Sequence, residues 1–280
     1  MRKRTLNPDD VQAFIDWMRK KTTKCEHTID CYRHGLLAIY KEMGSIDKQS
    51  VEKFRDTMVG KYSERTVSHR IMAYNCYVKD YLRKPNLQVK NIRIQRVLFL
   101  DNVPTPQEVE TLLAGLKADG YMRDYYLIKL LAQTGARVSE IIQFKLSDLQ
   151  QGYAKLLCKG RKVRTIFIPK TTATEALKYF EDKSHPETGH IFMTRFGSHI
   201  SIRGISSRLQ FFAGKYGIRK EVCHPHAFRH YFAKQFLKRS KNNIVMLADL
   251  LGHGSVNTTA IYLRMSQSET QNKFNSMVDW

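Results

Sequence analysis

Apolar residues recur at helical spacing through most of the first eighty positions. In "NPDDVQAFIDWMRKK", Val11, Phe14, Ile15 and Met18 share one face, Asn7 or Asp9 can cap it, and Pro8 suits the first turn. "HTIDCYRHGLLAIYKEMG" predicts a second helix stopped by Gly44, and "DKQSVEKFRDTMVG" a third stopped by Gly60. "SERTVSHRIMAYNCYVKDYLRK" predicts a fourth, with Arg65, His69, Arg70 and Lys79 among its apolar positions. Helices joined by such short loops make a bundle, expected over residues 1–86.

The period then breaks. "KPNLQVKNIRIQRVLFLDNVPTP" holds Pro85, Pro104 and Pro106 and alternates basic with apolar residues, including Lys90, Arg93 and Arg96. It predicts an extended interdomain linker over 87–104. A second domain, expected over 105–265, opens on "TPQEVETLLAGLKA", where Thr105 and Glu108 form a capping-box pattern. "MRDYYLIKLLAQTGARVSEIIQFKLSDL" reads as an apolar helix, a break at Gly135, and another helix. "YAKLLCKGRKVRTIFIPK" predicts a β-hairpin around a Lys-Gly-Arg-Lys turn, to which "HIFMT" could add a third strand. "ISSRLQFFAGKYG", "HAFRHYFAKQFLKR" and "IVMLADLLGH" are helical, and residues 266–280 form a tail helix with Phe274, Met277 and Val278 at helical spacing. The fold class is thus mainly α with a small β-sheet: a four-helix bundle followed by a mixed α/β domain.

Composition narrows the partner. Of 280 residues, 42% are hydrophobic, enough to bury a core and exclude global disorder. Lys and Arg number 47 against 26 acids, a net charge of +21 that calls for a polyanion. An anionic membrane would fit the charge, but no apolar run approaches the ~20 residues of a spanning helix, and no long basic amphipathic stretch suits an interface. Residues 1–100 carry 21 Lys and Arg against 11 acids, and the remainder 26 against 15. Two basic lobes on a linker suit a clamp around a duplex. The cysteines (Cys25, Cys31, Cys76, Cys158, Cys223) are odd in number and lack CxxC spacing, so reduced thiols in a cytoplasm are expected rather than zinc or disulfides. "MRKRTLNPDD" has no apolar run behind it, so no secretion signal is expected.

Four pieces carry possible chemistry: "TGARVSE" with Arg137 and Glu140, the basic hairpin tip "CKGRKVR", "HPHAFRH" with His226 and Arg229 on one helix face, and "LGHGSVNTTAIYLRM" with His253 and Tyr262. Singly, each has an ordinary explanation: a surface arginine, a solubilising turn, a capping histidine, a core tyrosine. Their order and spacing resemble the tyrosine recombinase family of phage-type integrases and Xer-type or Cre-type recombinases over roughly residues 105–265. The N-terminal bundle resembles that family's core-binding domain in length and charge only.

The resemblance implies an enzyme that cuts and rejoins DNA through a 3′-phosphotyrosyl link and needs no metal or cofactor. Tyr262 would attack; Arg137 and Arg229 would hold the scissile phosphate, since guanidinium groups stay charged and bind oxyanions in a fork. Lys159 would protonate the leaving 5′ oxygen, with Lys162 as second choice. His226 would help deprotonate Tyr262, His253 would donate to a non-bridging oxygen, and Glu140 would orient its neighbours. Arg65, Arg70, Lys90, Arg93, Arg161, Lys162 and Arg164 are expected on double-stranded DNA. His224 and His230 are given structural roles. Cys158 and Phe228 depart from the family's commoner glycine and leucine without changing a reacting group. The tail is expected to dock on a neighbouring subunit of a homotetramer, and no lambda-type arm-binding domain is expected before the bundle. The rivals are a type IB topoisomerase, an inactive DNA-binding accessory protein of the same fold, and a generic RNA-binding protein.

Overall fold

The computed structural model describes residues 7–94, 100–158, 162–184, 187–194 and 196–278. Two compact units divide the chain, Met1–Arg96 and Val97–Trp280.

The first unit is a helical bundle. Helix α1 (Pro8–Lys21) is capped by Asn7, whose side chain accepts from the Asp10 amide at 2.9 Å while Asp10 returns the bond. Helix α2 (Glu26–Met43) ends on Gly44 at φ 73°, where a left-handed residue closes the last turn. Helix α3 spans Lys48–Thr57. It stops before Gly60, the expected terminator, with the Met58 amide bonded to the Phe54 carbonyl; beyond it the Tyr62 hydroxyl donates to Glu42 at 2.6 Å and the Arg70 guanidinium stacks on its ring at 4.0 Å. Helix α4 (Glu64–Cys76) runs into a π-helical turn over Tyr77–Tyr81 instead of continuing as α-helix. That turn brings Tyr77 and Tyr81 against Phe14, at ring separations of 5.3 and 5.6 Å. Val89 is buried on this unit, its amide and carbonyl both held by the Asn75 side chain.

In the second unit, α5 (Pro106–Ala118) carries the Thr105/Glu108 capping box. Helix α6 (Met122–Thr134) is buried over most of its surface, with Gln133 exposed, and ends on Gly135 at φ 62°. Short α7 (Val138–Ile141) and α8 (Leu146–Gln151) lead to the antiparallel pair β1 (Tyr153–Cys158) and β2 (Lys162–Phe167), with Leu156 opposite Arg164. Among the described residues the sheet has two strands. "HIFMT" does not join it: Ile191 donates to the Phe144 carbonyl, and Met193 pairs with His199 across a local turn. Both hydrogen-bonding edges of that short segment are thereby used. Helices α9 (Lys170–Phe180), α10 (Ile202–Lys215) and α11 (Pro225–Arg239) complete the core around α6. Then follow α12 (Ile244–Leu251), α13 (Val256–Thr259), a 3₁₀ turn Ala260–Leu263, and α14 (Gln267–Val278). No helix among the described residues is long and apolar enough to cross a membrane.

Candidate active site

Helix α11 carries Arg229 into the middle of the second unit, where the side chain is 1% exposed. A buried cation costs several kcal/mol unless its donors are met. Here Nη1 donates to the Gly135 carbonyl and Nη2 to the Leu251 carbonyl, both at 2.7 Å. Each acceptor lies at a helix C-terminus, where carbonyls lack intrahelical partners and the dipole favours a cation. Gly135 must be glycine twice over: its φ is left-handed, and a Cβ would lie 2.4 Å from Cδ1 of Phe232. Burial first, then the charges of Arg137 and Arg164, lower the Arg229 pKa to about 10, so it remains a cation at neutral pH.

Nη2 of Arg229 also lies 3.0 Å from Nε2 of His253. Guanidinium only donates, so Nε2 is the acceptor. Nδ1 then carries the proton and donates to Oγ1 of the fully buried Thr259 at 2.8 Å. This assigns the tautomer. It also means that Nε2 is an acceptor in this arrangement, whereas His253 is expected from the sequence to donate to a phosphate oxygen. Burial, then Arg229, Arg137 and Arg164, lower the His253 pKa to about 4.

Tyr262 sits in the 3₁₀ turn at 6% exposure, in an apolar cluster with Leu100, Leu247 and Leu251. Its ring stacks near His253 (6.3 Å, 13°) and tilts against His230 (5.3 Å, 53°). Burial raises its pKa; the charge and hydrogen bond of Arg229, and the charge of Arg137, pull the other way.

Arg137 stands at the entrance, with its side chain 41% exposed. Glu140 holds it: one oxygen accepts from its guanidinium and the other from its amide, both at 2.7 Å. The second oxygen also accepts from Arg164. Burial would raise the Glu140 pKa, but the Arg137 amide and the Arg164 charge outweigh it, and the carboxylate sits below its ordinary range. A cleft of about 960 Å³ opens here, lined by Arg137, Gln143, Arg164, Phe167, Met246 and His253.

Arg164 departs from its expected place on DNA. Strand alternation turns it inward with Ile166, at 8% exposure, while Val163 and Phe167 face out. The pattern Val163-Arg164-Thr165-Ile166 carried that signal. A Cβ on Gly252 would come within 2.8 Å of the Arg164 side chain, so the "LGH" glycine makes room for it. Arg65, Lys90 and Arg93 are exposed on the first unit; Arg70 is half-buried over Tyr62. Lys159, Arg161, Arg96 and Trp280 lie outside the described residues; for Lys162 the backbone in β2 is described. His226 is exposed in the first turn of α11, and its ring meets His230 rather than Tyr262. Thr259 and the two carbonyls on Arg229 are absent from the sequence expectations, since no local pattern marks them.

A tyrosine hydroxyl set against a buried guanidinium, with a second guanidinium at the entrance, belongs to enzymes that move a phosphoryl group onto tyrosine. Comparison with known proteins agrees. Residues 102–269 match the phage integrase family. The chain is 34% identical over 283 residues to tyrosine recombinase XerC of Leptospira interrogans, covering 93% of this chain and 90% of that protein. It is 28% identical to XerC of Pseudomonas aeruginosa, covering 91% and 90%. Among solved structures, XerH recombinase bound to its difH substrate superposes with a TM-score of 0.70 at 20% identity, over 96% of this chain and 84% of that one. A lambda integrase dimer on a core site gives 0.70 at 14%, over 92% and 95%. The chain belongs to the phage integrase family, the tyrosine recombinases that break and rejoin DNA.

Proposed function

We propose that the protein performs site-specific strand exchange between paired DNA sites through a 3′-phosphotyrosyl intermediate. The observation that carries this is the placement of Tyr262 beside Arg229 and His253 within one chain. In this reading Tyr262 attacks the scissile phosphorus. Arg137 and Arg229 take its non-bridging oxygens, Glu140 sets the angle of Arg137, and Lys159 protonates the leaving 5′ oxygen. His253 gives up its bond from Arg229 and changes tautomer, so that Nε2–H donates to a non-bridging oxygen while Nδ1 accepts from the Thr259 hydroxyl, and both ring nitrogens stay engaged. The DNA is bound by the basic helical domain expected over residues 1–86 and the linker 87–104, through Arg65, Lys90 and Arg93, and by Arg161 and Lys162 of the hairpin.

The tail supports assembly on DNA as a homotetramer. Helix α14 is tied to its own unit at its start, where Lys234 pairs with Glu269 at 2.8 Å and Asp101 accepts from the Gln267 amide. Further along, Phe274 and Met277 are 58% and 62% exposed, an apolar stripe suited to a neighbouring subunit. Cys31, Cys76 and Cys223 are free thiols, which supports a cytoplasmic enzyme.

The test is a nicked duplex site incubated with protein in EDTA and then analysed in SDS. A covalent protein–DNA complex is expected with the wild type and none with Tyr262→Phe. A complex that persists in that variant overturns the assignment. Supercoil relaxation without exchange between two sites would replace recombination by topoisomerase action.

A further inference from the structure

Three imidazoles stand near the nucleophile, and their hydrogen bonding separates them. His253 has both ring nitrogens engaged, by Arg229 and Thr259, and so has no lone pair left for the Tyr262 proton. His226 is exposed, and its ring touches His230 at 4.8 Å and 64°. His230, one turn further along α11, lies against both: 5.3 Å from the Tyr262 ring and 4.8 Å from His226. Its Nδ1 is buried without a hydrogen-bond partner. A buried polar atom left unmatched costs roughly 1–3 kcal/mol, a cost that sites of reaction commonly carry.

We propose that His230 takes the proton leaving the Tyr262 hydroxyl and passes it outward through His226. This rests on the tyrosine chemistry above and adds a residue to it. The array runs from the buried phenol to the exposed imidazole, so a proton has a path to water that avoids the arginines. In cleavage, the Oη–H bond breaks and its proton moves to neutral His230, which becomes imidazolium. The oxygen's electron pair forms the bond to phosphorus, the P–O5′ bond breaks, and the 5′ oxygen takes its proton from the general acid. Rejoining reverses each transfer, and His230 returns the proton as the phenolate leaves.

The surroundings keep His230 ready to accept. Burial first, then His226, His224 and Arg229, lower its pKa to about 4, so it is neutral at physiological pH. The groups that face it are His226 and Arg229 on α11, His224 at its N-cap, and Tyr262 on the 3₁₀ turn. A neutral, weakly basic imidazole cannot strip an isolated phenol. The bound phosphate brings negative charge that raises the imidazoles, while Arg229 and Arg137 favour the phenolate, and transfer proceeds together with attack. Catalytic hydrogen bonds of this kind commonly close only when substrate is bound.

The experiment compares His230→Phe, which keeps a ring against Tyr262, and His230→Gln, on two nicked duplexes. One has the natural scissile phosphate; the other has sulfur in place of the bridging 5′ oxygen, a leaving group that needs no proton. Both variants are expected to bind duplex like wild type and to cleave about 10²-fold more slowly or worse at neutral pH. The loss should be equal on both substrates, and it should shrink as pH rises toward about 10, where a phenol ionises unaided. Near-wild-type cleavage by His230→Phe overturns the proposal. So does rescue by sulfur, which would place His230 at the leaving group, or a loss independent of pH, which would make it a packing residue. Loss of duplex binding in both variants would make it a folding residue and equally overturn the proposal. Absence of a covalent complex in the wild type would instead sink the tyrosine reading itself.

Discussion

Glu140 is the position where a single atom change has the most calculable effect. Its carboxylate is 6% exposed and joins two guanidinium groups of unequal surroundings: Arg164 is 7% exposed, Arg137 41%. Glu140→Gln keeps the shape but removes the charge. Arg164 then becomes a buried cation with its charge partner gone, while Arg137 can turn to water. Breaking a buried pair from one side costs about 3–5 kcal/mol. For a unit of this size each kcal/mol moves the midpoint by about 2–4 °C, so the transition of the second unit should fall by roughly 6–20 °C. Thermal unfolding followed by circular dichroism measures this. Adding Arg164→Met removes the orphaned charge, and the double variant should recover most of the lost stability. Cleavage of a nicked duplex should not recover, because Arg137 has lost the oxygen that aims its guanidinium. A Glu140→Gln protein melting within about 1 °C of wild type would refute the buried-pair reasoning. A double variant no more stable than the single one would refute it equally.

Arg137→Ala should lower cleavage by several orders of magnitude and leave duplex binding and melting temperature nearly unchanged, since the side chain is partly solvated and its partner keeps Arg164; gel shift, cleavage and melting read the three effects, and a matching loss of binding would recast it as a binding residue. His253 and His230 hold pKa values of about 4 against an ordinary 6.5, so unfolding takes up protons between those values. Stability should therefore be constant above pH about 6.5 and fall as pH drops toward about 4, with His253→Gln flattening part of that fall in melts across the window; an unchanged slope would mean that His253 is not held neutral.

Much of the fold was legible because its signals are local. Asn7, Asp47, Ser63 and Thr105 cap helices through atoms three residues away, and Gly44 and Gly135 end them through their own φ. The alternation around the hairpin is equally local, and so is the spacing of "TGARVSE", "HAFRH" and "LGH" that pointed to the family. Where a helix stopped was less legible where non-local contacts gather: α3 ends at Thr57, just before the segment whose Tyr62 bonds Glu42, and α4 passes into a π turn where Tyr77 meets Phe14.

The sequence by itself determined which reacting groups exist, in what order, and on which helices and turns they ride. Only the tertiary structure decided which of them meet. Arg229 finds its acceptors 94 and 22 positions away, Arg164 turns from the hairpin's outer face to Glu140, and His230 rather than His226 touches the nucleophile. Each of these pairings is chosen by burial: a cation or imidazole placed inside a core must settle on whatever carbonyl, carboxylate or ring the packing brings within reach. That choice depends on the folded whole.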